Sequence, residues 1–156
     1  MLERTVGFAA DEVRTNESTR SARLKWVIVV NSELPQGRIV NAAACVAAAT
    51  ALAVPGLLAE GGADAEGAIH AGLPWSGCTI LAAEPEKLRL VRDQAARRDD
   101  LLVVDMPLAA QETRVYDDYL NQLATLDSSE IDYATVSMVG PRKRIDRIVG
   151  GMGLLP

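Results

Sequence analysis

Aromatic residues are scarce in this chain, 4% of 156 residues with a single phenylalanine. A core so short of rings has to rest on aliphatic side chains and close backbone approach. Histidine occurs once, so a Ser-His-Asp triad has only His70 to use, and an HExxH metal motif has no counterpart. Cys45 and Cys78 stand far apart and form no CxxC or other metal-binding spacing. That usage predicts reduced, partly buried thiols in a cytoplasmic protein, and no metal site. The GxGxxG, P-loop and GxSxG patterns are missing as well, so no cofactor is expected and no nucleophile elbow is present. Apolar runs long enough to cross a bilayer are also lacking: the alanine-rich stretch is interrupted by Asn41, Thr50 and Pro55. The N-terminus does not follow the order of a signal peptide. No membrane partner is expected, and the expected location is cytoplasmic.

Positive charge is in short supply, with 16 Lys and Arg against 21 Asp and Glu, a net charge of −5. The chain as a whole therefore lacks the footprint of a nucleic-acid binder, whose affinity comes largely from neutralising phosphates. The one dense basic cluster is Arg142-Lys143-Arg144 with Arg147. It reads either as a solvated loop or as an anion contact.

What is present is ordinary globular material, 49% hydrophobic and 24% charged, of a length that fits one domain. Residues 1–23 read as an N-terminal arm, docked through Phe8 or flexible, ahead of a single α/β domain over residues 24–156. Trp26–Val30 is a continuous β-branched run, which predicts a central strand buried on both faces. The turn Asn31–Gly37 follows, then a helix from about Arg38 to Ala53 that stops at Pro55-Gly56. Ala, Val and Cys occupy nearly every side of that helix, so it is expected to be sandwiched between layers. Pro55–Ser76 reads as a long loop carrying His70, with Trp75 as a plug. For His70 two readings stand, an exposed structural residue or a catalytic one.

Cys78–Ala83 predicts a second strand, Pro85 opens a helix to about Arg98, and Leu101–Val104 predicts a third strand. Asp105 then reads as the cap of the next helix or as a site residue. Leu108, Val115, Tyr119, Leu123 and Leu126 share a stripe that predicts one amphipathic helix over Pro107–Leu126, with an Arg114–Asp118 pair on its surface. Ile131–Val139 predicts a fourth strand. Alternating strands and helices give a three-layer α/β/α sandwich around a four-stranded mixed sheet.

The residues KWVIVVNSELPQGRIVNAAACVAA, the late strand TVSMVGP and the ending VGGMGLLP resemble the signatures of type II peptidyl-tRNA hydrolases. The combined set LKW, LPQGRIVNAAA, Asp64–His70, DMPLAAQ, YDDYL and VGPRKRID resembles more closely the bacterial family known as domain of unknown function 2000. The resemblance implies the type II peptidyl-tRNA hydrolase-like sandwich. The chain departs from the hydrolase pattern in the turn, where Arg38 is the only basic residue and Glu33 replaces the usual Asp. Thr135 falls on the position of that family's late-strand threonine.

Three functions follow. The first is binding of a small polar or anionic ligand where the first strand meets the first helix, at Asn31, Gly37, Arg38 and Asn41, beside Glu33 and Thr135. The second is hydrolysis of peptidyl-tRNA or a related substrate, with Glu33 or His70 as base and Arg38 and Thr135 facing the oxyanion; tRNA is the less favoured partner. The third is a homodimer without chemistry, its patch including Tyr116, Tyr119 and Met138.

Overall fold

The computed structural model describes residues 5–156. The strand β1 (Leu24–Asn31) is buried along nearly its whole length, as its unbroken apolar run requires. It pairs in parallel with β4 (Thr79–Ala83) and antiparallel with β6 (Tyr133–Pro141), which in turn pairs antiparallel with β5 (Leu102–Pro107). The sheet is therefore mixed and four-stranded, in the order β4-β1-β6-β5.

Three layers follow from the two-residue alternation along the inner strands. Val27, Val29, Val136 and Met138 face one side, where Leu88 and Val91 of α2 (Pro85–Ala96) and Ile145 of α5 (Arg142–Ile148) cover them. Trp26, Ile28 and Val30 face the other side, covered by Ile39 and Val46 of α1 (Gln36–Ala53). Polar groups in that second core are chained together. Trp26 Nε1 donates to Ser137 Oγ at 2.8 Å, and Thr50 Oγ1 donates to Val46 O at 2.7 Å. The 2.8 Å Ser137–Thr50 contact is thus left with Ser137 as its donor, which satisfies all three side chains.

The arm is docked over its described part, whereas residues 1–4, the apolar Leu2 among them, lie outside the described residues. Phe8 is buried against Trp75 at 4.9 Å between ring centroids, and its N–H donates to Pro55 O. Gly56 sits beneath this crossing with φ +73°, where any side chain would be strained and would meet the Phe8 backbone. Arg23 closes the arm through a two-pronged pair with Glu12, at 2.5 and 2.9 Å.

Several local expectations give way to tertiary structure. The helix α1 is not sandwiched: its outer side is open, with Val40 66% and Leu52 90% exposed. Both cysteines are exposed rather than partly buried, although desolvation pushes the Cys78 thiol up to about 12. The stretch expected as one helix over 107–126 is two, α3 (Ala109–Glu112) and α4 (Tyr116–Leu123). Thr113 turns extended and its hydroxyl takes the Ala109 carbonyl at 3.1 Å, the acceptor that a continuous helix would give to the Thr113 N–H. Arg114 falls in this break and forms no pair with Asp118 among the described residues. Asp105 lies within β5 and accepts from Arg92 Nε at 3.0 Å, so it caps no helix. The basic cluster begins α5 instead of forming a loop. The long loop folds partly into a hairpin of β2 (Gly62–Ala63) and β3 (Ile69–His70). Met138 is fully buried and belongs to no surface patch.

Candidate functional site

Asn31 ends β1 and turns the chain. Its Nδ2 donates to Tyr133 O at 3.2 Å and its Oδ1 accepts from Glu33 N–H at 3.0 Å, an Asx-type turn that leads to Pro35 and the start of α1. Pro35 O accepts from the N–H groups of both Arg38 and Ile39. Thr135 is buried beneath the corner, its hydroxyl donating to Val29 O at 2.9 Å. Asn31 and Thr135 therefore use their polar atoms to hold backbone in place.

Arg38 and Asn41 belong to a polar knot across two elements. Arg38 Nε donates to Gln111 Oε1 at 2.9 Å, while Gln111 Nε2 donates to Arg38 O at 2.8 Å and to Asn41 Oδ1 at 3.1 Å. One amide from α3 thus joins the first two turns of α1 through three hydrogen bonds. Arg38 Nη2 is buried without a hydrogen-bond partner. Glu33 is exposed, and Gly37 is exposed with open space where a Cβ would stand.

Asn41 also lines a cleft of about 480 Å³ between α1, β5 and the α3–α4 break. Cys45 and Ala49 continue the α1 wall, and Val104, Asp105 and Met106 give the β5 wall. Arg114, Val115, Tyr116 and Tyr119 complete it. The two tyrosine rings meet edge to face at 5.6 Å. Burial, and then the nearby Asp105 carboxylate, raise the Tyr119 phenol above its ordinary pKa, so it stays protonated at neutral pH. The Asp105 charge is answered by Arg92, whose guanidinium lies 5.5 Å from the Tyr133 ring centroid. Arg114 makes no side-chain hydrogen bond or ion pair among the described residues, so its charge is uncompensated within the cleft lining.

His70 sits elsewhere, on the exposed β2–β3 hairpin, with Nε2 3.4 Å from Asp64 Oδ2. Asp64 also accepts from the N–H groups of Ala68 and Glu66, which lower its pKa, so it acts as the organiser of that turn. Gln111, Arg114 and Cys45 had no place in the expected site, and Tyr116 and Tyr119, expected in a dimer patch, line the cleft instead. Gln111 ends the quoted DMPLAAQ motif, but its partners lie 70 and 73 positions away in the chain.

A family model described as Protein of unknown function (DUF2000) matches residues 24–156. The chain belongs to this family. The DUF2000 match begins at the first residue of β1 and includes α1, β5, α3 and α4, hence every wall of the cleft. A search of curated proteins finds no match. Among solved structures, the chain resembles a protein of unknown function from Agrobacterium tumefaciens, with a TM-score of 0.76 at 17% identity. The likeness covers 86% of this chain and 98% of that one, and at such identity it shows a shared fold alone. Among the described residues no helix is long and apolar enough to cross a membrane, and no cluster of potential metal ligands occurs.

Proposed function

We propose that this DUF2000 protein binds a small ligand with an apolar body and an anionic end in the cleft between α1, β5 and the α3–α4 break. The observation that carries the reading is Arg114, an unpaired guanidinium in a cleft whose walls include Ala49, Val104, Met106 and the two tyrosines, and whose one carboxylate, Asp105, is already paired with Arg92. Its size of about 480 Å³ lies in the range of small-molecule pockets, roughly 300–1,000 Å³. In this reading Asn41 offers an amide to the ligand, and Arg38, tied to it through Gln111, adds positive potential. Glu33 and Gly37 flank the corner, and Asn31 and Thr135 support its backbone.

Binding is favoured over peptidyl-tRNA hydrolysis. The Thr135 hydroxyl is already donated to Val29 O, and His70 pairs with Asp64 on the hairpin, so His70 as base and Thr135 as oxyanion donor do not meet at one point, which leaves Glu33 as the only base at the corner. Kinship with type II peptidyl-tRNA hydrolases is proposed only as common architecture. A melting-temperature screen against aromatic and medium-chain carboxylates tests the binding reading. Stabilisation that disappears in Arg114→Gln supports it, and the same stabilisation in that variant removes Arg114 from the site.

A second reading rests on the outer face of α1. From Ile39 to Ala53 the helix carries no charge, and Val40, Ala44, Ala48 and Leu52 recur on its exposed side. For copies that each carry −5, an uncharged helix face is where like charge opposes approach least. We propose that a second copy of the chain packs there, as an isologous dimer.

A further inference from the structure

The end of the sheet opposite the α1 corner is where β1 and β4 begin and β6 finishes. A separate cleft of about 360 Å³ opens there, between the arm and the start of α5. Arg20, Lys25 and Arg142 line it, together with Ser76 and Thr79, and no carboxylate does. That is an unusual balance for a chain with five more acids than bases.

The three cations are not equally committed. Lys25 Nζ is held by Asp146 Oδ1 at 2.6 Å, which offsets part of its charge. Arg142 Nη2 donates only to neutral acceptors, the carbonyls of Thr19 at 3.3 Å and Ala22 at 3.2 Å. Its Nε is buried with no hydrogen-bond partner. Arg20 has no side-chain hydrogen bond or ion pair among the described residues, and the Ser76 and Thr79 hydroxyls are likewise unengaged there. Two guanidinium charges without an anionic partner, two hydroxyl donors and a concave wall together match the demands of an oxyanion. Guanidinium forks match the spacing of phosphate oxygens, whereas a lone carboxylate would leave donors unused.

We propose that this cleft binds a phosphate group, either the free ion or the phosphate end of a small monoester. The site is independent of the α1 cleft and of the function proposed for it. It also gives the basic cluster at Arg142 a role that the overall acidity of the chain obscures.

Calorimetric titration of the full chain with inorganic phosphate, and separately with phenyl phosphate, at constant ionic strength tests the proposal. Saturable one-to-one binding is expected for at least one probe. Arg20→Gln, at an exposed position that supports no other contact, should weaken it about tenfold with the melting temperature of the unliganded protein unchanged. Arg142→Lys, which keeps the charge and loses the fork, should weaken it comparably. Arg114→Gln in the other cleft should leave it unaltered. Binding of phenyl phosphate as tight as that of phosphate assigns a monoester, and its exclusion assigns the free ion. The proposal is overturned if neither probe saturates, if Arg20→Gln and Arg142→Lys both bind as the parent does, or if Arg114→Gln abolishes binding.

Discussion

Gln111 and Arg38 hold each other twice, the side-chain Nε of Arg38 donating to the amide oxygen of Gln111 and the amide nitrogen of Gln111 donating to the backbone carbonyl of Arg38. This pair is the one polar bolt described between α3 and the first turn of α1, and it sits at the rim of the candidate cleft.

Replacing Gln111 with Ala removes the bolt and leaves Arg38 Nε without its partner. A loss of about 0.5–1.5 kcal/mol is expected, as for part-buried hydrogen bonds broken from one side. Urea denaturation at constant m-value reads it. A change below about 0.2 kcal/mol would show that solvent replaces the amide at no cost.

The Trp26–Ser137–Thr50 chain predicts non-additivity. Ser137→Ala strands the Trp26 N–H and one Thr50 acceptor in a core where Ser137 is 1% exposed, so about 1–3 kcal/mol should be lost. Trp26→Phe in the same molecule removes the stranded donor. The double variant should then be less destabilised than the sum of the single ones, by about 0.5–1.5 kcal/mol in a double-mutant cycle. Simple additivity would argue against a connected network.

Acid should release the arm. The Arg23 guanidinium, followed by the Ala9 N–H, holds the Glu12 carboxyl at about 2, down from 4.5. A depressed carboxylate contributes its stability fully above its unfolded pKa, and that contribution fades as the pH falls from about 4.5 through about 2. Glu12→Gln should therefore melt lower than the parent at pH 7, with the gap closing across that window. Emission from Trp75, whose ring packs tilted against Phe8, reports the arm. A gap that persists unchanged at pH 2 would contradict the assignment.

The outer face of α1 predicts association. Sedimentation at micromolar concentration should show a dimer, and Leu52→Glu, at a site 90% exposed, should give a folded monomer. A monomeric parent rules out the isologous pairing.

The central strands were legible because burial on both faces writes a continuous apolar run, as in Trp26–Val30, and because Pro55-Gly56 marks a helix end unambiguously. Other features lay in long-range contacts that no local pattern encodes. Leu108 and Val115 keep helical spacing across a break that Thr113 makes with its own hydroxyl. The α1 sequence looked buried on every side because its composition says nothing of how many layers exist to cover it. In the candidate site, Arg38 and Asn41 were accessible from the strand–turn–helix pattern. Their shared partner Gln111 and the cleft cation Arg114 were not, since Gln111 meets α1 and Arg114 faces the same cleft only once β5 has carried the chain to that side of the sheet.

The most direct test of the binding cleft is amide and methyl chemical-shift mapping of the full chain with the carboxylate that stabilises it most. The account predicts shifts centred on Cys45, Ala49, Met106 and Tyr116, absent in Arg114→Gln and unaltered in His70→Ala. Shifts centred on the β2–β3 hairpin around His70, or a cleft that stays silent while the ligand binds, would contradict it.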